Sequence, residues 1–198
     1  MRIISGKYKG HRISAPKNLP VRPTTDMSKE SMFNILGNRF DFNGLKVLDL
    51  FSGTGNLSYE FASRGASAIT AVDADFGCVK FIKQTAAGFG FNISAVKGDV
   101  YKFLKGHKAV YDIIVADPPY NFTQQQFEDV VTLVFEAELL NEDGMMIIEH
   151  SKHTKMDHLM NFSFEKKYGG SIFTFYEFNK DESEETPSED GDTEEDEI

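Results

Sequence analysis

One cysteine, Cys78, is all that the 198 residues contain, so no intramolecular disulfide can staple the chain. A reducing cytoplasm is the expected setting. Cys78 falls in a helical pattern without an evident base partner, and buried apolar filler is its expected role. No apolar run reaches the ~18 residues of a membrane-spanning helix. The opening Met1-Arg2-Ile3-Ile4-Ser5-Gly6 lacks the apolar stretch and cleavage site of a secretory leader. A Gly-Lys-Ser/Thr phosphate loop is absent, and so is any internal repeat. His150, His153 and His158 lie loosely together, but no Cys or carboxylate completes a metal spacing. They read as solvated or structural, and no metal is expected.

Positive charge is scarce overall, yet the imbalance is local. Residues 181–198 hold eleven acidic side chains and no Lys or Arg, and they account for the net charge of −10. Residues 1–180 sum to about +1, while residues 1–39 hold eight Lys or Arg against two acids. A basic front, a neutral body and an acidic tail suit different partners. The tail has no apolar residue before Ile198 and is expected to be disordered. An apolar fraction of 40% supports one sizeable core. The expected divisions are a basic hairpin flap and link at residues 1–24, a main domain at 25–180 and the tail at 181–198. A monomer is expected.

Residues 2–15 offer two short β-prone pieces around a Gly/Lys/Tyr turn, which predicts a hairpin flap. Its exposed side chains would be Lys7, Tyr8, Lys9, His11 and Arg12, suited to a nucleic-acid backbone. Pro16 to Pro23 reads as an extended link. A helix follows, capped by Thr25 or Asp26, with Met27, Phe33, Ile35 and Leu36 on its buried face. Beyond it, apolar runs at 46–51, 68–73, 92–96, 111–116 and 145–149 alternate with helical patterns. Phe162–Tyr168 and Ser171–Phe178 alternate with period two around Gly169-Gly170, a hairpin signal. The order predicts an α/β fold. Its sheet would be doubly wound, mostly parallel and seven-stranded, with one antiparallel strand at its end.

Two turns carry chemistry. Lys46–Phe51 ends in Ser52-Gly53-Thr54-Gly55-Asn56 before a helix, a turn whose glycines let backbone approach a ligand. A second strand ends in Asp73, 18 residues after Gly55, where a ribose diol is usually held. Ser58 stands in place of the third glycine of a dinucleotide fingerprint. A nucleoside-like cofactor without a pyrophosphate therefore fits better. Asp99 opens a short helix, either as its cap or as a contact to the cofactor's adenine. The second turn is Asp117-Pro118-Pro119-Tyr120, at the end of the strand Tyr111–Ala116. Two prolines stiffen it and remove two backbone donors. Acceptors beside an aromatic ring suit a flat, amino-bearing ligand such as a nucleobase.

Asp49-Leu50-Phe51-Ser52-Gly53-Thr54-Gly55 resembles the cofactor loop of S-adenosylmethionine-dependent methyltransferases. Asp73 is similar to their ribose-binding acid, and Asp117–Tyr120 to the motif of their amino-methylating branch. Arg2-Ile3-Ile4-Ser5-Gly6, Arg22-Pro23-Thr24-Thr25-Asp26 and Glu30-Ser31-Met32-Phe33-Asn34 resemble the N-terminus of bacterial 16S rRNA guanine-N2 methyltransferases, the RsmD family. The likeness runs in order over residues 2–180. It departs after Asp26, where Met27-Ser28-Lys29-Glu30 replaces a stretch that is usually more basic. The resemblance implies a Rossmann-like class I fold and S-adenosyl-L-methionine as cofactor. It also implies methyl transfer to the N2 amine of a guanine in 16S rRNA of the assembling small subunit, of the guanine-966 type. Asp49, Phe51, Ser52, Gly53, Gly55, Asp73 and Asp99 would hold the cofactor. Asp117, Pro118, Pro119 and Tyr120 would be catalytic, and Arg2, Lys7, Lys9, Arg12 and Arg22 would hold RNA. Asp117 reads as a hydrogen-bond acceptor that orients the amine rather than as a general base.

Three other readings compete. An adenine-N6 DNA methyltransferase can use the same four residues, but it normally carries a sizeable target-recognition region for which 198 residues leave little space. A glutamine-N5 protein methyltransferase usually has Asn where Asp117 stands. A non-catalytic RNA-binding assembly factor would not need Gly53, Gly55, Asp73 and Asp117 intact.

Overall fold

The computed structural model describes residues 1–19 and 26–178. Arg22, the Thr25 cap, most of the proline link's end and the acidic tail lie outside the described residues. Helices and strands follow in the order α1 (Asp26–Gly37), β1 (Lys46–Leu50), α2 (Asn56–Arg64), β2 (Ala68–Asp73), α3 (Phe76–Phe89), β3 (Ile93–Lys97), α4 (Val100–Gly106), β4 (Tyr111–Ala116), α5 (Gln124–Glu136), β5 (Leu140–Ser151), β6 (Phe162–Tyr168) and β7 (Ser171–Tyr176).

The seven strands form one sheet in the order β3-β2-β1-β4-β5-β7-β6. β1 pairs in parallel with both β2 and β4, so the winding reverses direction between β1 and β4. Open α/β sheets bind ligands at that crevice, beyond the carboxyl ends of the strands. The single reversed strand, β7, is inserted between β5 and β6 rather than lying at the sheet's end, and β6 forms the edge. The Gly169 turn, with φ of 60°, returns the chain to make this insertion.

Both faces of the sheet are covered, which explains why its strands read as nearly unbroken apolar runs. Leu48, Leu50, Ile114, Ala116, Met146 and Ile148 face a core closed by α4 and α5. Val47, Ile113, Val115, Met145 and Ile147 face the opposite core, closed by α1 and α2. Alternate residues of one strand thus serve two cores. β5 is longer than its apolar run suggests. It begins at Leu140 because Gly144 fits where a Cβ would come within 2.9 Å of the Asp112 carbonyl.

α1 buries Phe33 and Leu36 as expected, but Lys29 and Met32 take the place of Met27 on that face. Lys29, Met32, Phe33 and Leu36 are inside, Ile35 is half-buried, and Met27 is 75% exposed. Lys29 is the informative member. Its ammonium donates to the Arg2 carbonyl at 2.7 Å and to Asn56 Oδ1 at 2.9 Å, and it lies 3.3 Å from Glu60 Oε2. Glu60, fully buried, also accepts the Ile4 N–H at 2.8 Å, the Ser5 N–H at 3.0 Å and Arg64 Nε at 2.9 Å. Burial pulls the Lys29 ammonium below the usual lysine range, and Glu60 opposes that pull.

The N-terminal hairpin is therefore not a free flap. Arg2 and Arg12 form its one antiparallel bridge, while Ile3 and Ile13 are buried against Tyr59, Val79 and Ile82. Tyr8, expected to be exposed, is half-buried among Phe89, Phe91 and His11 and donates its hydroxyl to the Phe89 carbonyl at 2.8 Å. Its ring has apolar company on the α3 side, so burial wins over solvation. Replacing Glu60 by Ala would strand a buried ammonium and two backbone N–H groups. Glu60→Ala is expected to lower the unfolding free energy by about 3–5 kcal/mol in urea titration; a loss below ~1 kcal/mol would show that the network is not needed for docking.

Candidate active site at the carboxyl edge of the sheet

The site is assembled from the ends of three strands. β1 is central and fully buried after Lys46, so its last residues project into the crevice between β1 and β4. The chain then turns sharply. Phe51 takes φ of 59°, Gly53 52° and Gly55 83° before α2 begins. A left-handed Phe is costly, and its half-buried ring is held edge-on against Phe122 at 5.4 Å. Gly55 is required twice over, by its positive φ and because an added Cβ would lie 2.8 Å from the Tyr59 ring.

Carboxylates at two strand ends fix this turn. Asp49 Oδ2 accepts the Ser58 N–H at 3.1 Å and the Ser58 hydroxyl at 2.5 Å, clasping β1 to α2. Ser58, which stands where a dinucleotide site would have its third glycine, is thus used as a clasp. Asp73 Oδ2 accepts the Gly53 N–H at 2.7 Å, and its Oδ1 accepts the Asp75 N–H at 2.8 Å. Asp75 caps α3 by accepting the Cys78 N–H. Across the crevice, the Asp117 N–H donates to the Leu50 carbonyl at 3.3 Å, tying the second turn to the end of β1. Pro118 is buried, whereas Pro119 and Tyr120 are exposed. The Pro119 carbonyl accepts the Phe122 N–H at 3.0 Å and so closes the turn on itself.

Both turns line one cavity of about 790 Å³. Asp49, Phe51, Ser52, Gly53, Asp73, Asp117, Pro118, Pro119 and Tyr120 of the expected site meet there. Gly55 supports the turn from behind. Asp99 does not reach the cavity. It is exposed and caps α4 by accepting the Lys102 N–H at 3.0 Å. Of the expected RNA contacts, Arg2, Lys7, Lys9 and Arg12 are exposed. Arg2 pairs with Asp26 at 3.2 Å, and Lys7 lies 5.2 Å from the Tyr8 ring.

Sequence reasoning missed one wall of the cavity. Met1, Ile13, Ser14, Pro16 and Leu19 of the N-terminal segment line it, together with Asn56 and Cys78. Leu19 lies so close to α3 that a Cβ on Gly77 would come within 2.7 Å of its Cδ2. The missed signal was apolar: Ile3 and Ile13 punctuate a basic stretch at positions that only a core contact explains. Lys29 gave a second one, standing at helical spacing with Met32, Phe33 and Leu36. Cys78 is 1% exposed, and burial pushes its thiol up to about 12, so it is inert filler. His150 is buried and bonded to Thr174 Oγ1 at 2.7 Å, a structural role.

The residues present fit a nucleoside-like cofactor. The buried Ser52 Oγ, at the cavity wall, has no hydrogen-bond partner among the described residues. Each Asp73 oxygen accepts a single backbone N–H, leaving capacity for a diol hydroxyl. The volume lies within the ordinary range for small-ligand clefts, roughly 300–1,000 Å³.

Strand order, crevice and glycine turn together define a Rossmann-like methyltransferase fold. The same architecture occurs in a solved structure described as putative methyltransferase yhhF from Escherichia coli. That structure matches with a TM-score of 0.77 and 27% identity over 89% of this chain and 96% of that one. The chain belongs to the family described as Conserved hypothetical protein 95, whose model matches residues 1–177, and is of the bacterial RsmD type of rRNA methyltransferase. Among curated relatives, the putative rRNA methyltransferase YlbH of Bacillus subtilis is 35% identical over 161 residues, 79% of this chain and 85% of its own length. Ribosomal RNA small subunit methyltransferase D of Buchnera aphidicola is 31% identical over 150 residues, 75% of each chain.

Burial pushes the Asp49 carboxyl up from an ordinary 3.8 to about 7, and the two Ser58 bonds only partly oppose it. Between those values the unfolded chain has released this proton and the folded chain has kept it. Its contribution to stability therefore falls as pH rises from about 4 to about 7. In Asp49→Asn the loss of stability across that window should be smaller than in the unsubstituted protein, read as melting temperature against pH. An unchanged slope would rule out Asp49 as its source.

Proposed function

We propose that the protein transfers a methyl group from S-adenosyl-L-methionine to the exocyclic N2 amine of a guanine in 16S rRNA, on the assembling small subunit. One observation carries the reading. The Asp117–Tyr120 turn and the glycine turn after β1 line the same cavity from adjacent strands. Cofactor and acceptor amine can then meet at the point where the Asp117 N–H is tied to the Leu50 carbonyl. The names of the curated relatives, ribosomal RNA small subunit methyltransferase D among them, agree with the substrate class.

Asp73 would hold the ribose diol of the cofactor, and Ser52, Gly53 and Asp49 would contact its remaining polar groups. The cofactor supplies an electrophilic methyl group on a sulfonium. An exocyclic amine is a poor nucleophile because its lone pair is delocalised into the ring. Accepting its N–H bonds at Asp117 and at the Pro118 carbonyl turns that lone pair toward the methyl carbon. Bound there, the cofactor would supply the methyl group and, as leaving group, a neutral thioether. The nitrogen becomes cationic and acidic and sheds its proton to Asp117 or water. Asp117 therefore need not be a strong base. Tyr120, 51% exposed and lining the cavity, would stack on the base, a contact of about 1–3 kcal/mol. The guanine must be unpaired or flipped out of its stack.

The basic residues of the hairpin are assigned to the RNA backbone. Lys7, Lys9 and Arg12 protrude from a segment that also walls the cofactor cavity, so phosphate contacts would register the RNA on the site.

Mass mapping of 16S rRNA from cells lacking the protein should reveal one missing N2-methylguanine. The intact gene should restore it and Asp117→Ala should not, at a transfer rate reduced about 10³-fold. Calorimetry should show that the purified variant still binds S-adenosylmethionine. Normal turnover by that variant would end this mechanism. Replacing Lys7, Lys9 and Arg12 together should reduce the slope of log affinity against log salt by about 2–3; a slope that does not move would remove the hairpin from the RNA interface.

A further inference from the structure

Charge is unevenly spread over the helices that cover the sheet. Residues 76–110, which make α3, β3 and α4, hold Lys80, Lys83, Lys97, Lys102, Lys105 and Lys108 against one acid, Asp99. Residues 124–144, which make α5 and the start of β5, hold six acids and no Lys or Arg. Helical spacing turns the lysines out. α3 buries Cys78, Val79, Ile82 and Ala86, which leaves Lys80 and Lys83, three residues apart, on its outer side. α4 buries Val100 and Leu104, which leaves Lys102 and Lys105 outside in the same way. β3 is an outer strand of the sheet, and Lys97 is its last residue. All six lysines are exposed, and among the described residues none of them joins an ion pair.

Edge protection accounts for little of this. A lysine on an outer strand blocks pairing with another sheet, but that covers Lys97 alone. The other five sit on or after helices, where like charges at short spacing repel and lower stability. The surface also continues two features already described. Lys97 pairs in register with Asp73, which lines the cavity. Tyr8 of the basic hairpin packs on Phe89 and Phe91, and Leu19 lies against Gly77, so the N-terminal segment touches α3 near both of its ends. α3 is about 21 Å long, enough to follow several phosphates. α5, whose Gln126 carbonyl accepts the Tyr101 hydroxyl of α4, bounds the surface with acids.

We propose that the edge formed by α3, β3 and α4 is a second RNA-contact surface, whose lysines hold the sugar-phosphate backbone of the rRNA flanking the target guanine. This rests on the rRNA reading given above and extends it from the hairpin to the outer edge of the sheet. Lysine is a point charge on a flexible stem, so these contacts supply affinity and register rather than choice of base. The acids of α5 repel the same backbone and keep the RNA on the β3 side.

The test measures binding to small subunits from cells lacking the protein, over a salt series, for three double variants. They are Lys80→Gln with Lys83→Gln, Lys102→Gln with Lys105→Gln, and a charge-matched control on β6 at the opposite edge, Lys166→Gln with Lys167→Gln. Melting temperature and S-adenosylmethionine calorimetry check folding. Each of the first two should reduce the slope of log affinity against log salt by about 1–2 and weaken binding about 5- to 30-fold near physiological salt. Methyl transfer should show a raised KM with kcat unchanged. The control should move none of these. Equal losses in all three variants, or an unchanged slope in either of the first two, overturns the proposal. The former means that only bulk charge is felt, the latter that the face is merely solvated. The class of partner is read with a photo-crosslinker on the thiol of Lys83→Cys, since Cys78 is 1% exposed and does not compete. A crosslink to 16S rRNA is expected, and one to ribosomal protein alone overturns the assignment to RNA. Should a double variant fail to fold, the crosslink and the other double variant decide. Failure of the underlying reading looks different: the unsubstituted protein then neither binds the small subunit nor methylates its rRNA.

Discussion

The buried carboxylate of Glu60 is the constraint on which the architecture of the site turns. It is fully buried and surrounded by donors: Lys29 from α1, Arg64 from its own helix, and the Ile4 and Ser5 N–H groups of the N-terminal segment. Lys29 in turn reaches Asn56, the first residue of the helix that follows the glycine turn. Arg64 lies 4.5 Å over the Phe33 ring, which joins the polar network to the apolar packing. A buried charge pair adds little net stability when complete but is expensive to break. Its value here is geometric. It fixes residues 1–5 on α2, and through them the residues that form a wall of the cavity.

That wall changes the meaning of the basic N-terminal segment. Lys7, Lys9 and Arg12 are exposed, while Met1, Ile13, Leu19 and also Lys17 line the cavity. One short piece of chain therefore has one side suited to phosphate and the other suited to a nucleoside. Left-handed backbone shapes the opposite wall: Gly53 and, behind it, Gly55 take positive φ without cost, whereas Phe51 needs a packed surrounding to hold it.

Electrostatics divide the carboxylates of the sheet edge by role. Asp49 and Asp73 are pushed up by burial yet bonded to backbone or hydroxyl donors of the glycine turn, so they shape it. Asp99 and Asp75 are helix caps, and only Asp75 lies beside the cavity. Asp117 and Glu149 stand on adjacent strands at the Tyr120 end of the site. Acids of similar appearance in the sequence thus diverge because strand order, not spacing along the chain, sets their neighbours.

The sequence by itself determined the alternating α/β order, the seven strands, the glycine turn after β1 and the Asp117–Tyr120 turn. These are local matters of periodicity, φ preference and proline stiffness, which act within a few residues. It also placed Asp49, Asp73 and Asp117 at strand ends, and the structure brings these together on one cavity. Only the tertiary structure decided that β7 inserts between β5 and β6, that Tyr8 is half-buried and Met27 exposed, and that Asp99 stays outside the cavity. It alone brought Lys29 to Glu60 and Glu149 to Asp117. Each of these depends on which surfaces meet across dozens of residues, where the energy of a contact belongs to the pair and is written in neither segment alone.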